Sequence, residues 1–186
     1  TNLQALIDAC ANNEINGSIK LVVSNRKKAY GLERARLAGI KAEWIKDEDI
    51  IIKRLEEEQI DLIVLAGYLA IVSEKLISKF ENKIINIHPS LIPSFCGEGY
   101  YGIHVHEACF KRGCKVSGAT VHFVTAECDA GPIILQKAVE VVEGDTPETL
   151  QKRIMEQAEW IILPKAIDMI ANGKIEVVDG KVKRKE

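Results

Sequence analysis

Lys83-Ile84-Ile85-Asn86-Ile87-His88-Pro89-Ser90-Leu91-Ile92-Pro93 reads as an apolar strand running into a proline-punctuated loop. Strand side chains alternate with period two, so Asn86 and His88 leave the same face and aim a donor and a titratable group at one spot. Toward the N-terminus this strand closes an alternation of elements. The apolar spacing predicts helices over Leu3–Asn12, Gly31–Ala38, Asp47–Gln59 and Ser73–Lys79, and strands over Ile19–Ser24, Ala42–Ile45 and Asp61–Ala66. Strand, helix, strand in succession argues for crossovers onto a parallel sheet. Toward the C-terminus the pattern changes. A helix near Val105–Lys111 precedes two long strands, Val116–Val124 and Pro132–Val141, which resemble an antiparallel pair. Thr146-Pro147-Glu148 is a helix start, and one helix is expected from there to Ala171, where Asn172-Gly173 stops it. Asp179-Gly180 marks a closing hairpin. The expected fold is α/β and doubly wound: a mostly parallel sheet with an antiparallel addition in the C-terminal half, in one domain over 1–186.

The bulk properties bound the function. With 186 residues, 47% hydrophobic and 28% charged, the chain can bury a sizeable core, and its formal net charge of −2 gives no field for nucleic acid or anionic membrane. An anionic substrate therefore needs a local site. No apolar run approaches the roughly 20 residues of a membrane span. The five cysteines, Cys10, Cys96, Cys109, Cys114 and Cys128, lack zinc or redox-pair spacing, and their natural setting is a reducing cytoplasm.

Among the candidates for chemistry, His88 leads because Asn86 accompanies it; the alternative is a strand-end histidine bonded to loop backbone. Asp129, in Glu127-Cys128-Asp129-Ala130-Gly131-Pro132, is the best third partner, since it too follows a strand, although Asp in a Gly/Pro turn is ordinarily turn chemistry. Asn, His and Asp together would make a proton-transfer and oxyanion apparatus. His104-Val105-His106, with His122 or His88, invites a metal reading, but no acidic or cysteine ligand stands at suitable spacing; no metal is expected, and His122 is read as a partly buried histidine beside a polar cleft. Gly97-Glu98-Gly99-Tyr100-Tyr101-Gly102 follows no strand and opens no Lys-Ser/Thr helix, so it suits a substrate-covering loop rather than a nucleotide loop. Leu65-Ala66-Gly67-Tyr68-Leu69-Ala70-Ile71-Val72 is an apolar strand end and loop at the carboxyl edge of the sheet, where open α/β sheets bind ligands; plain core is the alternative, and the glycine and aromatic favour a pocket wall for a flat ring. Cys96 and Cys128 are read as packing residues. Thr1-Asn2-Leu3 is a capped helix start whose free amides suit a phosphate. No strand feeds it, so the first strand of such a fold is expected to be missing from this sequence.

Taken in order, Asn86–Pro93, Ser117-Gly118-Ala119-Thr120-Val121-His122-Phe123-Val124 and Asp129-Ala130-Gly131-Pro132-Ile133-Ile134-Leu135-Gln136 resemble the formyltransferases that use 10-formyltetrahydrofolate. Ser24-Asn25-Arg26 and Gly31-Leu32-Glu33-Arg34-Ala35 resemble the branch acting on phosphoribosylglycinamide in purine synthesis. The resemblance spans the whole chain and implies a Rossmann-like fold, with residues 1–88 as the nucleotide-substrate half and 89–186 as the catalytic and folate half. It implies Asn86, His88 and Asp129 as catalytic, with His88 held charged by Asp129. Thr1, Asn2, Gly67 and Glu159 would bind the phosphoribosyl substrate, with Glu159 near its amine. Tyr68, Leu69, Ala70, Ile71, Val72, Val124 and Cys128 would line the folate site. The implied co-substrate is 10-formyltetrahydrofolate, with small-molecule partners and a monomer or homodimer. Departures are an absent Ser-Gly-x-Gly phosphate turn, of which Thr1-Asn2 match only the tail, Ala70 where some members carry arginine, and Trp160 where histidine is frequent. Competing expectations are a non-catalytic folate- or nucleotide-binding module and the sister enzymes, formyltetrahydrofolate hydrolase and methionyl-tRNA formyltransferase.

Overall fold

In the computed structural model, which describes residues 1–185, the alternation is present. Its elements are α1 (Asn2–Ala11), β1 (Leu21–Ser24), α2 (Tyr30–Leu37), β2 (Lys41–Trp44), α3 (Glu48–Glu57), β3 (Ile63–Leu65), α4 (Glu74–Lys79) and β4 (Ile84–His88). There follow α5 (Ile103–Arg112), β5 (Val116–Phe123), β6 (Ile133–Glu140), α6 (Pro147–Ile154), α7 (Trp160–Ala171), β7 (Ile175–Val178) and β8 (Lys181–Arg184). Local chemistry sets several starts. The Asp47 carboxylate accepts from the Asp49 and Ile50 amides, and the Ser73 hydroxyl from that of Leu76. Thr146 and Thr149 cap α6 reciprocally behind Pro147. Thr1 occupies the N-cap of α1 but makes no side-chain cap bond; its hydroxyl turns to the Met155 sulfur at 3.5 Å, correcting the expected cap.

The strands form a parallel pair β1–β2, a four-stranded sheet in the order β3-β4-β5-β6, and the hairpin β7–β8. β3 runs parallel to β4, while β4–β5 and β5–β6 are antiparallel, as the second half of the sequence implies. Because β1 to β4 belong to parallel pairs, Ser24, Trp44, Leu65 and His88 each end a strand at a carboxyl end. A cavity of about 1610 Å³ lies where Leu21, Val23, Ile63, Leu65, Leu6 and Ile170 meet, so β1 and β3 are separated by a slot rather than hydrogen-bonded.

The main core gathers Ile85, Ile87, Val121, Leu150, Ile154 and Leu163 between sheet and C-terminal helices, and a second cluster joins α3 and α4 to Ile84. The single helix expected from Thr146 to Ala171 is interrupted by a π turn over Met155–Glu159. Its wider ring advances the inward face by one residue, from Leu150, Ile154 and Ala158 to Glu159 and Leu163, all buried. A carboxylate thereby enters the interior beside the apolar stripe.

Gly131 shows how tightly the turn after β5 is set. A Cβ there would lie 1.8 Å from the Phe123 carbonyl oxygen, a backbone atom that can yield only by moving β5. Gly131→Ala is expected to cost about 3 kcal/mol, in the upper range for overpacking, and to lower the melting temperature by roughly 6–12 °C. A calorimetric scan within about 2 °C of wild type would contradict this.

Candidate active site

β4 ends with Asn86 and His88 on one face, and the loop beyond it is pinned by a neighbouring strand. Thr120, opposite His88 in register, donates to the Ser90 carbonyl at 2.7 Å and accepts from the Ile92 amide at 3.1 Å. Gln136 donates to the Ile92 carbonyl at 3.0 Å, and the Ser90 hydroxyl to that of Ser94 at 2.5 Å. The loop therefore returns Phe95 to His88, whose Nε2 lies 2.8 Å from the Phe95 carbonyl. A carbonyl only accepts, so Nε2 carries a proton.

Asp129 meets this pair from the turn after β5, at φ 54°, a left-handed conformation that Asp tolerates better than most residues. Its Oδ2 accepts from the Gly97 amide at 2.9 Å and lies 3.5 Å from His88 Nδ1; its Oδ1 lies 3.5 Å from His122 Nε2. His122 is the functional residue that sequence reasoning underrated. It sits opposite Asn86 in the β4–β5 register, beside a bulge between Val121 and His122 that re-aims the strand. Its Nδ1 donates to the Phe123 carbonyl at 2.8 Å, leaving Nε2 to accept from the Asn86 amide at 3.3 Å. Asn86 is thus oriented, with one N–H spent on His122 and the other free.

The electrostatics divide the pair. Burial opposes an ionised Asp129, yet the facing His122 ring, the Gly97 amide that donates to it and the neighbouring His88 hold it down to about 2. Burial pushes His88 below the ordinary imidazole value; the Phe95 carbonyl and Asp129 offset this only in part. Burial thus works against the imidazolium that Asp129 is expected to hold, while both ring nitrogens of His88 face acceptors, the Phe95 carbonyl and the Asp129 carboxylate.

A separate polar pair lies on the helical side. The buried Glu159 carboxylate accepts from Asn2 Nδ2 at 2.8 Å, and burial pushes it above the usual carboxyl range while the Asn2 bond pulls it partly back. Thr1, Asn2, Gly67, Tyr68, Leu69, Ala70 and Val72 all border the large cavity. Ile71 does not border it, and its side chain is 93% exposed. Asn86, His88, Asp129, Val124 and Cys128 lie outside the cavity lining: Val124 packs on the second core cluster, and Cys128 is exposed beside Asp129 rather than packed.

The histidines of the metal reading are dispersed. His104 pairs with Glu107 at 3.0 Å, His106 is fully buried, and His122 faces Asp129. Among the described residues no group of three or more His, Cys, Asp or Glu is arranged to hold a metal. Activity is expected to be unchanged after exhaustive chelation; a loss that zinc restores would overturn that expectation. All five cysteines are free, and no helix among the described residues is long and apolar enough to cross a membrane.

A family model described as formyl transferase matches residues 1–167. The chain belongs to the formyltransferase family. Among curated members it is 38% identical to phosphoribosylglycinamide formyltransferase of Escherichia coli (strain K12), over 95% of this chain and 85% of that one. It is 42% identical to the trifunctional purine biosynthetic protein adenosine-3 of Gallus gallus, over 98% of this chain but 18% of that protein. Among solved formyltransferase structures, glycinamide ribonucleotide transformylase 1 from Symbiobacterium toebii matches with a TM-score of 0.92 at 41% identity, covering 100% of this chain and 89% of that one. The family's co-substrate is a formyltetrahydrofolate, a demand that a donor amide and an imidazole at a strand end can meet chemically.

Proposed function

We propose that this formyltransferase moves the formyl group of 10-formyltetrahydrofolate to the glycinamide amine of phosphoribosylglycinamide, in purine synthesis. The reading rests on the convergence of Asn86, His88, His122 and Asp129 at the end of β4. The amine attacks the formyl carbon directly, forming a C–N bond and a tetrahedral oxyanion. The free N–H of Asn86 donates to that oxyanion, a contribution of about 3 kcal/mol by analogy with other oxyanion donors. His88 becomes charged as the attacking amine loses its proton, and Asp129, ionised throughout, stabilises the imidazolium. When the bond to folate N10 breaks, that proton is delivered to N10 and His88 returns to neutral.

Thr1, Asn2, Gly67 and Glu159 serve the phosphoribosyl side, and Tyr68, Leu69, Ala70, Ile71, Val72, Val124 and Cys128 the folate side. Residues 1–88 and 89–186 are two halves of one domain, and each half contributes to both sides of the site. The free thiols suit a reducing cytoplasm.

The test follows 10-formyltetrahydrofolate with and without phosphoribosylglycinamide. Formylated product and tetrahydrofolate in equal amounts, only when the amine is present, are expected. Formate release without the amine would identify a hydrolase, and folate binding without turnover a binding module.

A further inference from the structure

The carboxyl ends of β1 and β2 carry a cluster of cations that the chemistry above does not use. Arg26, Lys27, Lys28 and Lys46 are exposed, and none has a carboxylate within ion-pair distance among the described residues. Some cations elsewhere are paired: Arg54 binds Glu43, Glu57 and Glu58, Lys75 binds Asp49, and Arg153 binds Asp145. The acids next to Lys46 are engaged elsewhere. Asp47 caps α3, Glu48 accepts from Ser73, and Asp49 holds Lys75. The cluster is also built rather than loose. The Trp44 ring carries the Lys27 ammonium at 5.4 Å and the Lys46 ammonium at 5.9 Å, and its Nε1 donates to the Asn25 carbonyl at 3.3 Å.

Arg26 and Lys28 line the same large cavity as Thr1, Asn2, Gly67 and Tyr68. Parallel pairing puts the carboxyl ends of β3 and β4 alongside one another too, and Asn86, in register with Leu65, lies just ahead of the catalytic His88. We infer that Arg26, Lys27, Lys28 and Lys46 form a cationic rim that captures the phosphate monoester of the substrate and delivers it to the cavity. This inference rests on the proposed function. A chain of formal charge −2 repels a dianion at long range, so attraction must come from a local excess of positive charge within about a Debye length, roughly 8 Å at physiological salt. Folate is recognised by residues that follow β3, Tyr68, Leu69, Ala70 and Val72, rather than by the rim at the ends of β1 and β2.

The test uses the triple variant Arg26→Gln/Lys27→Gln/Lys28→Gln, with Lys181→Gln/Lys183→Gln/Arg184→Gln in the β7–β8 hairpin as the control for three lost charges. At low ionic strength kcat/KM for phosphoribosylglycinamide is expected to fall about five- to tenfold in the rim variant and less than about twofold in the control, with the KM for 10-formyltetrahydrofolate unchanged. The wild-type decline of kcat/KM with added salt is expected to flatten in the rim variant, so that the two converge near 0.5 M salt, where the Debye length is only about 4 Å. Equal losses in rim and control variants, or an undiminished salt dependence in the rim variant, would overturn the inference while leaving the proposed function intact. A wild type with no turnover of phosphoribosylglycinamide would overturn both.

Discussion

His88→Ala lowers kcat by about a thousandfold, near the middle of the range for a positioned acid–base group, while both KM values stay within about threefold of wild type. The loss should concentrate in kcat because the charge on His88 matters most as the oxyanion forms; in the resting site the ring is buried and bonded to the Phe95 carbonyl. A thousandfold is about 4 kcal/mol, more than one neutral hydrogen bond supplies, and fits combined loss of a proton carrier and of a charge beside the oxyanion. Removal of the ring also leaves the Phe95 carbonyl without that partner, so melting curves must accompany the kinetics. A folded variant that keeps kcat within tenfold of wild type removes His88 from the chemistry.

Asp129→Asn is the cleaner substitution, since asparagine accepts the left-handed backbone that Asp129 adopts and nearly matches its shape. It removes charge and little else. We expect kcat to fall about a hundredfold, less than for loss of the imidazole because the proton carrier remains. The pH profile supplies a second readout. Burial already holds His88 below its ordinary value, with Asp129 pulling the other way, so the acidic limb of kcat/KM should move to lower pH in Asp129→Asn. Stability changes in a different window. The Asp129 carboxyl is depressed from 3.8 to about 2, so the stabilisation it brings is full above 3.8 and is lost as the pH falls through about 2. Wild type should therefore melt above the variant at neutral pH, and the two should converge toward pH 2. An acidic limb that moves upward would mean that Asp129 does not face the imidazole as a charge.

The parts of this site that follow period-two alternation and turn chemistry are legible without coordinates. Asn86 and His88 share a face, and Thr146-Pro147 starts α6. His122 is harder, because its partnership with Asn86 depends on which residues face one another across β4 and β5, and on a bulge that shifts the ladder by one residue. Nothing in Met155-Glu156-Gln157-Ala158-Glu159 marks a π turn, since the wider ring is chosen by what the two helices must bury. The charge of His88 is likewise set by burial beneath the Phe95 loop, a long-range consequence of Thr120 and Gln136 anchoring Ile92.

The pairing of β4 with β5 also bears on how the site holds its shape. Asn86 and His122 face each other within one unbroken run of strand pairing, from Ile85 opposite Phe123 to His88 opposite Thr120. Backbone groups held in such a ladder open together rather than one at a time, so the spacing of the two side chains is carried by a cooperative unit and not by a loop.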